Sequence, residues 1–595
     1  MISLARPLFR ALTVGAAVGM GLVPSVLAHG GDNNTDDMKM GETDKPLPED
    51  QYPPTYFALG DHRAAIYSHI GLMVLAWVFV LPVAVMLSLA RSRHRITAQL
   101  VFLAVNGGGV LLGTIYNAST PDLYPNNAHH TLGWVVTWIV CSQVAIGLLS
   151  SIAGVFKRGS SELRNAQTGE RQSFIPVSTE AIAEHESSYP KPHRFSDDSG
   201  QGTEVNTESL GSGQSHADPG SPLFPPTHGF ESGYHEGYAD DNIHSELPRV
   251  SKLSGAVRSV VERIANKVSS RAWKVLMLAY NFVDRTILVL GSVTLATGII
   301  TFGRFFEGNE IFSGLAHWIK GGIFFWLGIF TLGRWAGSFG DLGWAWNVRP
   351  KQRGRKWRPS AEFVESALIF IYGSTNIFLE HLGNWGGEYS AQDLEHISIT
   401  VLFIGGGLCG MLIESVRIRD LLNTTVEEAG HFDPEKVYND EGSRDETQEP
   451  DTYAFSMNPI PALVILLLGI MMSSHTQHNM ISSMVHKQWG NLLTGASFAR
   501  GFTYVLTYLK PPKSIYPSRP PTELLTAFGL ISGGIIFMAS SSDTINGMVH
   551  YELDAMFMFT VTMGLVGLLM AWIILVVALK GWAVRREARA AYAKA

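Results

Sequence analysis

The chain contains apolar runs that recur from residue 66 to residue 579, and each is long enough to cross a bilayer as a helix. A spanning helix needs about 20 predominantly apolar residues for ~30 Å of hydrocarbon, where only helices and closed barrels satisfy their backbone groups. Charged residues make up 16% of the chain, whereas a soluble protein carries about 25%. The pattern predicts an all-α, polytopic membrane helix bundle with about eleven spans. They lie at roughly 66–90, 97–117, 131–156, 275–302, 313–343, 361–382, 395–416, 457–476, 487–508, 521–545 and 555–579.

The loops between these runs differ in their content of basic residues. Three loops, at 118–129, 384–394 and 546–554, contain no Lys or Arg, whereas the loops on the opposite side carry clusters of them. Cytosolic loops of membrane proteins are enriched in Lys and Arg. The distribution therefore predicts a lumenal N-terminus and a cytosolic C-terminus in a secretory-system membrane: endomembrane, vacuole or plasma membrane.

Soluble segments divide the chain into five parts. Residues 1–28 have the basic start, short apolar core and small residues of a secretory signal peptide, with an uncleaved anchor as the alternative. Residues 29–58 form a polar lumenal tail. Residues 159–270 are rich in Ser, Gly, Glu, Pro and His, which predicts a disordered cytosolic linker. The linker separates a three-helix module at 59–158 from an eight-helix membrane domain at 271–595.

The net charge and the cysteine content argue against a nucleic-acid partner and against sites built from cysteine. The net charge of −7 provides no basic field for nucleic acid, so the lipid bilayer is the predicted environment. Two cysteines, Cys141 and Cys409, are too few for a disulfide framework or a Cys-rich zinc site. The linker is a candidate for contacts with cytosolic partners, and the oligomeric state is left open.

Histidines gather at the predicted lumenal ends of the spans, and His94 is the exception at a cytosolic end. Histidine is frequent at membrane interfaces because its ring is amphipathic, but this preference would place histidines equally on both sides of the membrane. The one-sided placement therefore indicates a lumenal function. The lumenal group comprises His69, His129, His130, His317, His381, His396, His475, His478, His486 and His550.

His69 and His130 lie at matching depth on the first and third spans, which run in the same direction. Two facing imidazoles at this depth predict the axial ligands of one b-type haem. The glycines at 107–109 in the second span would let a flat macrocycle approach the backbone. The alternative is a pair of interfacial histidines that hydrogen-bond to loops.

A second group of histidines surrounds the predicted lumenal hairpins of the C-terminal domain. His475 and His478 are one helical turn apart and share a helix face. Together with His381, His396 and His486, they supply enough imidazoles for a divalent metal, either zinc, copper or iron. In the alternative, these polar groups satisfy helix ends.

Ionisable residues also lie inside the predicted spans. Such residues face the bundle interior and either pair with one another or serve the function. Structural pairing is the favoured interpretation, for example between Glu365 and Arg334. The residues are Lys320, Arg334, Glu365, Glu414 and Arg500.

Two segments of the N-terminal module resemble helices of a known protein family in the spacing of their His, Trp, Pro, Gln and Gly residues. The first is Ser68-His-Ile-Gly-Leu-Met-Val-Leu-Ala-Trp-Val-Phe-Val-Leu-Pro82, followed by Ala90-Arg91. The second is His130-Thr-Leu-Gly133, followed by Gln143 and Gly147. These segments resemble the first and third core helices of the cytochrome b561 family, in which the histidines of those two helices hold one haem.

The resemblance to cytochrome b561 is incomplete. In that family the second and fourth core helices supply histidines for another haem. The second span of this chain contains no His, and Ala279-Tyr-Asn-Phe-Val-Asp-Arg-Thr-Ile-Leu-Val-Leu-Gly291 resembles the fourth helix without its His. The missing pair implies that a single haem, at the lumenal face, is retained.

A further pattern lies in the C-terminal domain. Met471-Met-Ser-Ser-His475-Thr-Gln-His478 is followed by Met484-Val-His486-Lys-Gln-Trp-Gly490. This signature resembles that of the fungal Ytp1-like family of transmembrane proteins. The resemblance implies membrane residence and a short helical module before the C-terminal domain.

These observations predict an integral membrane protein with one haem b and a lumenal histidine metal site. If the protein is an enzyme, it is an oxidoreductase, for example a reductase of lumenal Fe³⁺ or Cu²⁺. One alternative is a metal transporter or sensor without redox chemistry. Another is a structural membrane scaffold that recruits partners through its linker.

Overall fold

The computed structural model describes residues 52–172, 270–307, 311–350, 359–376, 389, 391–429, 450–474, 477 and 479–593. Within these residues the secondary structure is helical, without strands, which confirms the predicted all-α class. The helices are α1 (Arg63–Leu89), α2 (Arg95–Ser119), α3 (Ala128–Gln172), α4 (Ser270–Gly303), α5 (Ile311–Ala336), α6 (Ala361–Asn376), α7 (Ala391–Ile413), α8 (Val416–Ala429), α9 (Ile460–Ser474), α10 (Met480–Leu509), α11 (Pro521–Ala539), α12 (Ser542–His550) and α13 (Ala555–Tyr592).

Eight of the described helices are long and apolar enough to cross a bilayer. The chain is therefore a multi-pass membrane protein, but the predicted count of eleven spans is not confirmed. The eight are α1, α2, α3, α4, α5, α7, α11 and α13.

The three remaining predicted spans correspond to α6, α9 and α10. The span predicted through α6 continues to residue 382, beyond the described residues. α9 has 15 residues and is therefore about 22 Å long, short of ~30 Å of hydrocarbon. α10 is long, but it carries Arg500 and several hydroxyl side chains on its buried faces.

The first four helices pack as one bundle around Trp77 of α1. Phe102 of α2, Val140 of α3 and Ile287 of α4 are buried with it in a single apolar core. Gly291 of α4 lies so close to Trp77 that a Cβ there would overlap the indole ring. α4 thus packs against the module at 59–158, although the predicted domain boundary places it after the linker.

α1 contains a π-helical turn at Leu75–Val80. Such a turn leaves backbone groups without their regular helical partners. The indole N–H of Trp572 in α13 donates to the carbonyl of Val78 at 2.8 Å, and the Trp572 ring also packs on Phe79. The last helix of the chain therefore contacts the N-terminal bundle directly.

The core of the C-terminal domain is formed by α5, α10 and α11. Trp489 of α10 stacks on Phe537 of α11 with ring centres 4.1 Å apart. Gly321 of α5 lies directly against the backbone of Gly534 in α11. Small residues permit this close approach between helices in a membrane. α6, α7 and α9 form an outer layer that joins the core where α9 packs on α10.

Residues 52–62 cross the predicted lumenal end of both helix groups. Tyr52 stacks on His550 with ring centres 4.0 Å apart, and the Thr55 hydroxyl lies 3.1 Å from that of Tyr551. At the same end of the molecule, the backbone N–H of Phe306, which follows α4, donates to the carboxylate of Asp543 in α12. Burial raises the pKa of Tyr52 to about 12, so its hydroxyl stays protonated at neutral pH.

Several predicted segments fall outside the described residues. They include the signal peptide at 1–28, most of the tail at 29–58, and 173–269 of the predicted linker. α3 continues to Gln172, past the predicted start of the linker at residue 159. The domain boundaries stay a prediction.

Candidate functional site

Besides the exposed His130, five of the described histidines lie within about two turns of a helix start. They belong to different helices and all lie on the predicted lumenal side. Their side chains fall into two close pairs and one separate residue. The five are His69 of α1, His129 of α3, His317 of α5, His396 of α7 and His486 of α10.

His69 is held in place by α2. Its Nδ1–H donates to the carbonyl of Gly109 at 2.8 Å. Because a carbonyl only accepts, Nδ1 carries the ring proton and Nε2 keeps its lone pair in the neutral imidazole. The ring lies over Gly113, where a Cβ would be 2.7 Å from Nδ1. Only glycine at residue 113 permits this position without displacement.

His129 is held in the same way by α4. Its Nδ1–H donates to the carbonyl of Thr294 at 3.2 Å, with the Thr297 hydroxyl at the same distance. Nε2 is again the nitrogen with the lone pair. The ring packs on Gly298, where a Cβ would be 3.0 Å from Cε1.

The structure brings His69 together with His129. Their ring centres are 6.4 Å apart and their planes are nearly perpendicular, at 83°. His130 is exposed, and its backbone N–H donates to Asn127. Adjacent residues on a helix differ by about 100° in direction, so only one of the two consecutive histidines faces α1. The contacts of α3 with α4 select His129, which no local sequence signal indicates.

His486 and His317 form the second pair. Their ring centres are 6.2 Å apart, with an angle of 86° between planes. His486 is 6% exposed, and its Nδ1–H donates to the carbonyl of Ser482 at 2.9 Å. Phe537 packs edge-on to His317, and Trp489 packs beside His486. This pair therefore lies on the apolar core of the C-terminal domain.

The other predicted metal ligands are not joined to this pair in the described structure. His396 is half-buried in α7, where its carbonyl accepts the Thr400 hydroxyl at 3.0 Å. His381, His475 and His478 lie outside the described residues. Within the described part of the chain, no group of three or more His, Cys, Asp or Glu is arranged to hold a metal ion.

A chain of five buried charges lies at the opposite end of the C-terminal domain. In spatial order the residues alternate in sign as Glu362, Arg334, Glu365, Arg500 and Glu523. They come from α6, α5, α6, α10 and α11, and each side chain is at most 7% exposed. The predicted pairing of Glu365 with Arg334 is confirmed at 3.3 Å.

Sequence reasoning missed Glu362 and Glu523 as members of this ion chain. Both lie in the first turn of their helices, where an acidic residue is readily explained by the helix dipole. Their position inside predicted apolar spans was the available signal.

A polar network occupies the half of the N-terminal bundle opposite the His69–His129 pair. The carboxylate of Asp284 accepts the hydroxyl of Ser88 at 2.6 Å and the amide of Gln143 at 2.5 Å. The hydroxyl of Tyr280 donates to Ser88 at 2.9 Å and accepts from Gln99 at 3.1 Å. All five side chains are buried in the bundle interior.

Comparison with known proteins identifies the family. Residues 290–581 match the family described as Protein YTP1-like, C-terminal, and residues 50–153 match a domain of unknown function, DUF2427. A Schizosaccharomyces pombe protein described as uncharacterized membrane protein C3B8.06 is 33% identical over 531 residues, 88% of this chain and 94% of that relative. The chain belongs to the Ytp1-like family of fungal membrane proteins.

Two Saccharomyces cerevisiae proteins are similar to parts of this Ytp1-like chain. Uncharacterized membrane protein YCR061W is 40% identical over 293 residues, 47% of this chain and 44% of the relative. Protein YTP1 is 24% identical over 197 residues, 33% of this chain and 34% of its own length. No solved structure matches the chain. The resemblance to cytochrome b561 stays a prediction.

Proposed function

We propose that the N-terminal bundle binds one b-type haem, with His69 and His129 as axial ligands, and that the protein transfers electrons at its predicted lumenal face. The observation that supports this proposal is the paired geometry of the two imidazoles. Each donates Nδ1–H to a backbone carbonyl, and each keeps Nε2 for a metal. The sequence prediction named His130, and the geometry favours its neighbour.

The separation of the two rings fits one metal between them. An imidazole nitrogen binds a metal at about 2.0–2.1 Å, and the two ring centres lie 6.4 Å apart, so both histidines would be within reach of one haem iron. Two protein ligands suffice for a haem iron, whereas a zinc ion takes about four ligands, mostly from protein. The donor set therefore favours haem over a bare ion.

The chain's own residues orient and tune these ligands. The carbonyls of Gly109 and Thr294 fix the tautomer of each ring and make Nε2 more basic. Gly113 and Gly298 provide the space in which the rings lie against α2 and α4. When bound, the haem would supply the one-electron chemistry.

One haem implies electron exchange on one side of the membrane. The network around Asp284 fills the opposite half of the bundle with hydrogen-bonded side chains, which supports a single haem. The proposed reaction is the reduction of Fe³⁺ or Cu²⁺ by one electron, supplied by a lumenal small-molecule reductant. The metal is then substrate rather than resident cofactor.

Absorption spectroscopy of the full-length protein in detergent tests the haem proposal. We expect a Soret band with about one haem per chain and a low-spin spectrum after reduction with dithionite, as two imidazole ligands require. His69→Ala and His129→Ala should each lose the low-spin signal or the haem. His130→Ala is the matched control, because its side chain is exposed beside His129.

Three results would contradict the haem proposal. The first is the absence of a Soret band in protein from cells with ample haem supply. The second is an unchanged spectrum in His69→Ala or His129→Ala. The third is loss of the low-spin signal in His130→Ala alone, which would instead support the ligand named by the sequence prediction.

A second candidate function is metal transport or sensing without redox chemistry. The observation that favours it is the His317–His486 pair, with ring centres 6.2 Å apart. Two imidazoles are part of a donor set for zinc, copper or iron, and the predicted ligands His381, His475 and His478 lie outside the described residues. The pair lies in a different helix group from His69, so the two functions are separable by mutation.

A further inference from the structure

The buried ion chain divides by distance into two close pairs and one additional carboxylate. Arg334 lies 2.7 Å from Glu362, and Arg500 lies 2.7 Å from Glu523. Glu365 lies between these pairs, with its oxygens 3.3 Å from Arg334 and 3.5 Å from Arg500. Three carboxyl groups therefore share two guanidinium groups.

The distances indicate that Glu365 differs from the other two carboxylates. The two close pairs each have an N···O distance of 2.7 Å, whereas Glu365 accepts from Arg334 at 3.3 Å and from Arg500 at 3.5 Å, so each opposite charge lies farther from Glu365. If all three carboxyl groups were ionised, the cluster would hold one uncompensated negative charge away from water. An unbalanced buried charge is strongly unfavourable, and a carboxyl group avoids it by binding a proton.

The other ionisable groups facing the cluster come from the elements packed against it. Tyr504 of α10 is buried, and Glu414 after α7 accepts hydroxyls from Ser360 and Ser456 at 2.6 Å each. Arg349 lies in the segment after α5, where its Nε–H donates to the carbonyl of Leu342 at 3.1 Å. Among the described residues, the ion pairs of Glu365 itself are those with Arg334 and Arg500.

A cavity of about 40 Å³ reaches the cluster from the predicted cytosolic end, and a water molecule needs roughly 10–15 Å³ of such space. Its lining includes Arg334, Glu362, Arg349 and Trp346. The indole N–H of Trp346 is buried without a hydrogen-bond partner. Arg334 lies over the Trp346 ring at 4.7 Å, and Arg500 at 5.7 Å. A water in this cavity would thus have polar partners and would contact one close pair of the ion chain.

We propose that Glu365 is a proton-binding site of the C-terminal domain and that it exchanges its proton with the predicted cytosolic side through this cavity. Binding adds one proton to the Glu365 carboxylate and forms a neutral carboxyl group. Release restores a charge of −1 between the two guanidinium groups. Because the ion chain joins α5, α6, α10 and α11, a change of this charge alters the contacts among four helices.

Infrared spectroscopy of the full-length protein in detergent tests this site. The C=O stretch of a protonated carboxyl group is separate from the carboxylate bands and shifts in D₂O. We expect one component of this band to be present at neutral pH, to disappear at alkaline pH, and to be missing in Glu365→Gln. Glu307→Gln, which removes a partly exposed carboxylate paired with Arg304 at 3.0 Å, should retain it.

Thermal unfolding separates a proton site from a purely structural ion pair. A Gln side chain mimics the neutral carboxyl group, so the Tm of Glu365→Gln should stay within a few degrees of that of the unsubstituted protein. Glu362→Gln breaks one close pair and leaves Arg334 undercompensated, so its Tm should be clearly lower.

Three results would overturn the proposal. One is an unchanged carboxyl band in Glu365→Gln. Another is a fall in Tm in Glu365→Gln as large as that in Glu362→Gln, which would show that Glu365 acts as an ionised structural partner. The third is a band that NaCl removes at constant pH but choline chloride does not, which would assign the site to a sodium ion instead.

Discussion

At the scale of single residues, the hydrogen bonds of Nδ1 determine which ring nitrogen of each histidine is left for a ligand. His69, His129 and His486 each donate Nδ1–H to a backbone carbonyl, so the same nitrogen, Nε2, is left for a ligand in all three. Metal-ligating histidines characteristically have such an outer partner. This shared arrangement supports the ligand role proposed for these histidines.

The second histidine pair leads to a residue-scale prediction about metal. We expect purified protein to retain zinc or copper by elemental analysis, at about one ion per chain. His317→Ala and His486→Ala should each reduce the retained metal several-fold, because each removes one imidazole of the pair. His475→Ala and His478→Ala report whether the predicted hairpin ligands share the same ion.

The matched control for metal retention is His94→Ala. His94 is an exposed histidine immediately before α2, at the predicted cytosolic end. Metal-free protein, or equal losses in His94→Ala and His486→Ala, would argue against a site at the His317–His486 pair.

At the scale of elements, the close packing of α5 on α11 holds the C-terminal domain together. Gly321 and Gly328 are two turns apart on α5 and lie against the backbone of α11. Helices in a membrane gain stability from such close contact rather than from the exclusion of water. The same two helices carry Arg334 and Glu523, so their packing also sets the geometry of the ion chain.

The α5–α11 contact predicts different effects of alanine at two consecutive glycines. A Cβ at Gly321 would lie 2.5 Å from the carbonyl oxygen of Gly534, so Gly321→Ala must separate the helices. We expect a loss of about 1–3 kcal/mol in the free energy of unfolding, as for other overpacked cores. Thermal unfolding in detergent, followed by tryptophan fluorescence, measures the corresponding fall in Tm.

Gly322→Ala provides the control on the same helix. No heavy atom lies within 4 Å of a Cβ built at Gly322. Alanine is favoured over glycine in a helix by about 1 kcal/mol, so this variant should be at least as stable as the starting protein. Equal Tm values for the two variants would mean that α5 and α11 are not in close contact.

At the scale of the whole molecule, histidines and buried arginines lie at opposite ends of the helices. In α5, His317 lies near the start and Arg334 near the end, and in α10 His486 precedes Arg500 by about four turns. The proposed haem and metal sites thus face one side of the membrane, and the proposed proton site faces the other. Which side is lumenal is a prediction from the basic loops alone.

Cysteine labelling tests this sidedness. In a variant with Cys141→Ser and Cys409→Ser, single cysteines are introduced as Pro125→Cys and Lys513→Cys, both at exposed loop positions. In sealed microsomes, a membrane-impermeant maleimide should label Lys513→Cys directly and Pro125→Cys only after detergent is added. The reverse pattern would invert the assignment and move the histidine pairs to the cytosolic side.

Sequence reasoning succeeded where the pattern was long and periodic. The all-α membrane class follows from the apolar runs and is confirmed, and the Ytp1-like signature at 471–490 identified the family correctly. The count of eleven spans is not confirmed, because α9 is short, α10 is polar on its buried faces, and the span predicted through α6 continues beyond the described residues. The pairing of Glu365 with Arg334 is confirmed, whereas Glu362 and Glu523 were missed as partners in the same ion chain.

Sequence alone determined the membrane class, the family and the concentration of histidines at one set of helix ends. These properties depend on composition and on the position of residues along single helices, which an apolar pattern specifies directly. Tertiary structure decided which side chains meet: His129 rather than His130 beside His69, His317 beside His486, and Glu365 between two arginines. The reason is that the rotation of each helix about its axis is set by contacts with other helices, through residues distant in sequence such as Thr294 and Gly534.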